Sequence, residues 1–237
     1  MKRILLVDAG NSNAKWFFAD EPYSALRTVA TIDLIKNPVL PDADVILLCS
    51  VVESLRRALK DECGQHLVVL GQDMEVPIAN ATHRPAQVGE DRLVASYAAH
   101  REAGGDVAVF GCGTALATGL VKDGEFTGGN IVPGPRLQVQ SLLECASDVL
   151  QGDDVLRRAS ADPVGRTTGE AVNKGVGVFL KAGVEHLCAA YGNVLDKPRF
   201  FAWGGWSKWL CESTDCGIEH KPDLVFCGLR HISQEKL

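Results

Sequence analysis

The chain has 237 residues, 46% hydrophobic and 23% charged, with a net charge of −6. That is enough apolar mass for one large or two small packed domains, and too little charge for a disordered chain. The acidic balance argues against a general electrostatic grip on nucleic acid, although backbone N–H groups can still bind an anion locally. No apolar run approaches the ~20 residues of a membrane span. No signal-peptide pattern opens the chain, so a cytoplasmic location with no membrane partner is expected.

In chain order, Ile4–Val7 reads as a buried strand, Asp8–Asn13 as a turn and Ala14–Ala19 as a second strand closing a hairpin. Val45–Val51 is a further strand, Glu53–Glu62 has helical spacing, and His66–Leu70 is another strand. Residues 72–88 carry Pro77, Asn80 and Pro85 and read as a loop. Asp91–Glu102 is helical and stops at Gly104-Gly105. Asp106–Phe110 and Leu116–Val121 are strands flanking a Gly111–Ala115 turn, and Asp123-Gly124 centres a hairpin turn. Phe126–Val132 continues the sheet until Pro133-Gly134-Pro135. Arg136–Leu150 is helical, and a polar stretch runs to Pro163. Gly169–Tyr191 is a long helix whose Gly175, Gly177 and Gly183 suggest close packing against a neighbour. Arg199–Trp203 and Leu224–Phe226 are the last strands. Strands alternating with helices define an α/β protein.

The eight cysteines include no Cys-x-x-Cys pair, and the six histidines show no metal spacing. Reduced thiols, several of them buried, are expected.

An internal echo is visible. Leu5–Lys15 and Ala108–Thr118 share a pattern of strand, small-residue turn and strand, with Asp8 and Gly111 at equivalent places 103 residues apart. Glycine lets the backbone approach a phosphate closely, successive N–H groups form an anion-binding concavity, and hydroxyls add donors. Two such turns would clamp a triphosphate, with a carboxylate at the strand end holding a hydrated Mg²⁺. Two ordinary glycine hairpins fit the same pattern.

The paired turns resemble the phosphate loops of the actin-like ATPase and sugar kinase superfamily. Within it, the chain resembles the type III pantothenate kinases nearly end to end. The first phosphate loop would be Asp8-Ala9-Gly10-Asn11-Ser12-Asn13-Ala14-Lys15, followed by Gly89-Glu90-Asp91-Arg92 and then Gly111-Cys112-Gly113-Thr114-Ala115. Gly128–Gly134, Gly165–Thr168, Gly204-Gly205 and Asp223–Leu229 match in order and spacing. The resemblance implies two ribonuclease H-like α/β domains (1–102 and 103–237) with a cleft between them. It implies ATP-dependent phosphorylation of pantothenate, the first step of coenzyme A synthesis. Mg²⁺, a monovalent cation (K⁺ or NH₄⁺) and a homodimer are implied as well.

On that resemblance Asp91 is the general base, although its place at a helix start also suits a first-turn carboxylate. Arg92, with its planar fork, meets the substrate carboxylate or a phosphate. Asp8 holds Mg²⁺, directly or through water, and Lys15 neutralises phosphate charge. Asn11, Ser12, Gly113 and Thr114 contact phosphates. Gly89, Glu90 and Thr168 complete the pantothenate site, Thr168 near the dimer interface. A helix cap formed with Glu170 is the plain reading of Thr168. Trp203, Trp206 and Trp209 wall the adenine site or pack the core.

Two positions depart from the family pattern. Gly111 stands where most members carry the Asp that helps bind the monovalent cation. Thr82 stands where a Tyr lines the pantothenate pocket. Glu90, beside Asp91, is a candidate for raising its pKa. A nucleotide-binding regulator that has lost turnover is the competing reading.

Overall fold

The structure, a computed structural model, describes residues 2–145 and 164–237. The expected polar stretch to Pro163 and the end of the helix predicted over 136–150 lie outside these residues. The chain forms two compact units: residues 1–102, 124–127 and 223–237, and residues 103–123 and 128–222. The expectation from sequence is a single division between residues 102 and 103. The C-terminal segment does not stay with the second half, however, and rejoins the first.

In the first unit, β1 (Ile4–Ala9) and β2 (Asn13–Phe18) form the expected hairpin, with Asp8 opposite Lys15. Asp8 therefore lies within the strand, one residue before its end, instead of opening the turn. β3 (Arg27–Ala30), β4 (Val45–Ser50) and β5 (Leu67–Val69) complete a sheet of order β3-β2-β1-β4-β5, with β4 and β5 parallel to β1. Alternation sorts the side chains. Leu5, Val7, Trp16 and Leu48 form one core with Leu34 of α1 (Thr31–Lys36) and Leu55 and Leu59 of α2 (Glu53–Cys63). Leu6, Asp8, Lys15 and Phe17 alternate with these and point to the opposite face. Helix α2 buries positions four apart and ends at Gly64 in the left-handed region (φ 54°). In the segment read as loop, β6 (Ala79–Asn80) pairs in parallel with Glu125 and Phe126 of β9 (Glu125–Gly128).

Helix α3 (Glu90–Ala103) covers the predicted span. Residues Leu224–Phe226, read as a strand, instead open helix α7 (Leu224–Lys236). Burial of Phe226, Leu229, Ile232 and Ser233 follows the helical period. The three-residue apolar run shows that period only when the sequence beyond it is included. Gly228 lets α7 approach α3, since a Cβ there would lie 2.6 Å from the Val94 carbonyl oxygen. Phe226 packs on Phe17 with ring centroids 4.7 Å apart.

In the second unit β7 (Val107–Cys112) is antiparallel to β8 (Ala115–Lys122) and parallel to β11 (Arg199–Trp203), which is parallel to β12 (Glu219–His220). The order β8-β7-β11-β12 repeats β2-β1-β4-β5, and α6 (Ser207–Ser213) between β11 and β12 repeats α2. Asp123 and Gly124 both take positive φ (51° and 83°), as a type I′ turn requires. The strand predicted over 126–132 is interrupted: Gly128 and Gly129 turn the chain (φ 117° and 156°) before β10 (Ile131–Pro133) pairs with β8. Beyond it, α4 runs Pro135–Cys145. Helix α5 (Thr168–Val194) buries a stripe of Val176, Leu180, Val184, Cys188 and Tyr191. Its Gly175 and Gly183 meet no atom within 4 Å where a Cβ would stand, so they do not mark the close packing expected of them.

Candidate functional site

The turn of the first hairpin is closed by the Gly10 N–H donating to the Asn13 carbonyl at 3.1 Å. Asn11, Ser12 and Asn13 are exposed, and a Cβ on Gly10 would touch nothing within 4 Å. Two residues brace this turn from outside it. The Thr31 hydroxyl donates to the Gly10 carbonyl (2.6 Å) and the Thr31 N–H to the Ser12 carbonyl (3.1 Å). The Ser50 hydroxyl donates to the Ala9 carbonyl (2.8 Å) and accepts from the Val52 N–H (3.1 Å). Both side chains are buried, and neither was singled out in the sequence. Thr31 falls in a stretch where the sequence shows no element, and the one signal for Ser50 is its place near the end of a predicted strand ahead of a predicted helix. Such a position ordinarily suggests a helix cap.

Across the sheet Asp8 lies between Lys15 of β2 and Cys49 of β4. Burial and the nearby negative charge of Asp91 raise its pKa to about 7, against the opposing pull of Lys15. Asp91, in the first turn of α3, is also pushed upward by burial, while the Arg92 N–H (2.9 Å) and the Arg92 charge pull it back. Glu90 is not among the leading causes of that shift; the repulsion between the two carboxylates shows instead as an upward push of Asp91 on Glu90. Burial raises Glu90 as well, and its carboxyl lies where a Cβ on Gly71 would be. A Cβ on Gly89 would stand 2.7 Å from the Asp91 carboxylate, so only glycine fits there without displacing it. The Arg92 guanidinium lies over the Phe126 ring at 5.5 Å. Burial drives the Cys49 thiol well upward, and the nearby Asp8, Asp91 and Glu90 add to the push.

That anionic pair fits a hard cation. Mg²⁺ is ordinarily held by one or two carboxylates with phosphate and water supplying the rest, and its charge would relieve the Asp8–Asp91 repulsion. Among the described residues no cluster of three His, Cys, Asp or Glu forms a complete protein cage.

In the second unit the Gly113 N–H donates to the Ala115 carbonyl at 2.9 Å, so this turn is one residue shorter than its counterpart. Gly113 and Thr114 are exposed. Gly134 packs on the loop, with its N–H donating to the Thr114 carbonyl at 2.8 Å. The Asn130 amide donates to the Tyr191 hydroxyl at 2.7 Å, and its N–H donates to the Thr118 hydroxyl at 2.7 Å. Thr168 is the exposed first residue of α5. The cap is Thr167, whose hydroxyl accepts from the Glu170 N–H at 3.2 Å. Thr82 is engaged in a turn with Asn80, its hydroxyl donating to Asn80 Oδ1 at 2.7 Å. Trp206 and Trp209 pack on the core of this unit and line a small apolar cavity with Cys112 and Leu180.

At Gly111 the expected monovalent-cation position has no side-chain ligand. A Cβ there would lie 2.5 Å from the Trp203 ring. The residues present do not fit that group.

A glycine hairpin repeated in two α/β units of one topology, with a half-buried carboxylate near the end of the first strand, defines an actin-like phosphotransferase. The fold agrees with a ROK family glucokinase from Streptomyces griseus, solved with glucose and AMPPNP (TM-score 0.56, 12% identity, covering 98% of this chain and 99% of that one). It agrees more closely with a putative Baf family transcriptional activator from Campylobacter jejuni (TM-score 0.68, 22% identity, 98% of each chain). The chain belongs to the type III pantothenate kinase family, whose family model matches residues 4–190. It is 31% identical over 260 aligned positions to the type III pantothenate kinase of Nitratidesulfovibrio vulgaris (strain DP4), covering 99% of this chain and 98% of that protein.

Proposed function

We propose that the protein transfers the γ-phosphoryl group of ATP to the primary hydroxyl of pantothenate, giving 4′-phosphopantothenate for coenzyme A synthesis. The observation that carries this reading is the Asp8–Asp91 pair beside the braced first hairpin, within a chain of this family. Asp91 accepts the hydroxyl proton as the new O–P bond forms and ADP departs. Its upward-shifted pKa brings it closer to that task than an exposed carboxylate would be. Arg92 pairs with the pantothenate carboxylate, and Gly89, Glu90 and Thr168 complete the substrate contacts. The exposed turn from Gly10 to Asn13, together with Ala9, Ala14, Lys15, Gly113 and Thr114, cradles the phosphates. Asp8 holds Mg²⁺, directly or through water, and the ion would neutralise phosphate charge.

Two further readings accompany this one. The seven described cysteines are unpaired, which suits a cytoplasmic address. Two copies associate through the α4–α5 surface, where Leu142, Val178 and Phe179 are 48%, 48% and 80% exposed.

The test is a coupled assay with ATP, Mg²⁺ and pantothenate. Wild type turns over, and Asp91→Asn lowers kcat by about 10²–10⁴-fold. Wild type forming no phosphopantothenate above the level of the Asp91→Asn control would sink the reading.

A further inference from the structure

The two units place opposite residues at one equivalent point. At the end of β1, Asp8 has the small Cys49 as its neighbour in β4. At the end of β7, Gly111 has the large Trp203 as its neighbour in β11. Trp203 is 8% exposed, and its ring fills the space a side chain on Gly111 would need, with ring carbons 2.5 and 2.7 Å from a Cβ placed there. The grip continues past Trp203. Gly204, in the left-handed region (φ 97°), lies against Cys112, where a Cβ would stand 2.6 Å from the carbonyl oxygen. That oxygen accepts the Trp206 N–H at 3.0 Å, and the Thr114 oxygen accepts the Gly134 N–H at 2.8 Å. K⁺ and NH₄⁺ both need a set of oxygen partners. Here the carboxylate is missing, its volume is indole, and two loop carbonyls already serve backbone donors.

We propose that Trp203 is a positioning residue that holds the second phosphate loop in place of a cation, so the protein binds and uses ATP without K⁺ or NH₄⁺. This rests on the phosphotransferase reading for turnover, but its ATP-binding part can be tested separately.

The experiment titrates Mg²⁺ and ATP into the full chain by calorimetry, in choline chloride and in KCl or NH₄Cl of equal ionic strength. Pantothenate turnover is followed in the same buffers. For wild type, Kd for ATP and kcat/KM agree across buffers within about twofold; an improvement of about tenfold or more with K⁺ or NH₄⁺ overturns the proposal. Absence of ATP binding in every buffer also overturns it, since the clamp would then position nothing. ATP binding that is indifferent to cation, without phosphopantothenate, supports the clamp and instead defeats the kinase reading.

Trp203→Ala separates positioning from packing: ATP binding weakens in all buffers, and K⁺ does not rescue it. Unchanged affinity in that variant overturns the role given to Trp203. The double variant Gly111→Asp/Trp203→Ala restores both carboxylate and space, and its ATP binding is expected to become K⁺-dependent. The wild-type comparison stands even if neither variant folds.

Discussion

Asp8 combines two demands that oppose each other in the ligand-free protein. The proposed Mg²⁺ role calls for a charged carboxylate near the end of β1, while burial and Asp91 penalise that charge and raise its pKa to about 7. Because this pKa lies above its unfolded value, the folded state binds the extra proton. The contribution of Asp8 to stability is therefore full below about pH 4 and is lost as pH rises through about 7. Asp8→Asn removes the titration. Thermal melts of the ligand-free protein are expected to show the variant gaining on wild type as pH rises from about 4 to 8, with turnover abolished. A stability difference independent of pH would show that the carboxyl is not held in this way, and near-normal turnover would show that the metal belongs elsewhere.

Among the elements, the first hairpin is stiffened by neighbours distant in sequence. Thr31 begins α1, yet its hydroxyl goes to the Gly10 carbonyl instead of to its own helix end. Thr31→Val keeps the shape and removes that donor. It is expected to cost about 0.5–1.5 kcal/mol in denaturant unfolding, the net range for one hydrogen bond to a part-buried carbonyl. It should also raise KM for ATP more than it lowers kcat, because a looser turn must be ordered on binding. A large loss of stability with KM unchanged would make the contact purely structural. The element misread from sequence, α7, teaches a related point. Three consecutive apolar residues, Leu224–Phe226, fit a strand or a helix equally well, and only the spacing out to Ile232 separates them. Segments missed outright, β3, α1 and α6, are short (four, six and seven residues), so little periodicity can accumulate within them.

For the whole molecule, the internal repeat is deeper than its sequence trace. Sequence shows two glycine hairpins, whereas the structure adds matching parallel strands and a matching helix in each unit. The association of two copies is testable at this scale. Phe179→Glu places a charge on the apolar α5 surface and is expected to shift sedimentation at low concentration toward monomer while leaving the melting temperature of the monomer little changed. An unchanged sedimentation coefficient, or a monomeric wild type, would remove that surface from consideration.

The α/β class, most strands, the two glycine turns, the family resemblance and the candidate carboxylates Asp8 and Asp91 are legible from the order of residues. These are written in short contiguous motifs or in local periodicity, where a residue type and its spacing already state the chemistry. Only tertiary contacts show that the C-terminal segment is a helix of the first unit, that Thr31 and Ser50 brace the first hairpin turn, and that Trp203 fills the space beside Gly111. Those features depend on which residues far apart in the chain become neighbours across strands and helices. A lone Thr, Ser or Trp carries no sequence mark of the partner it will meet.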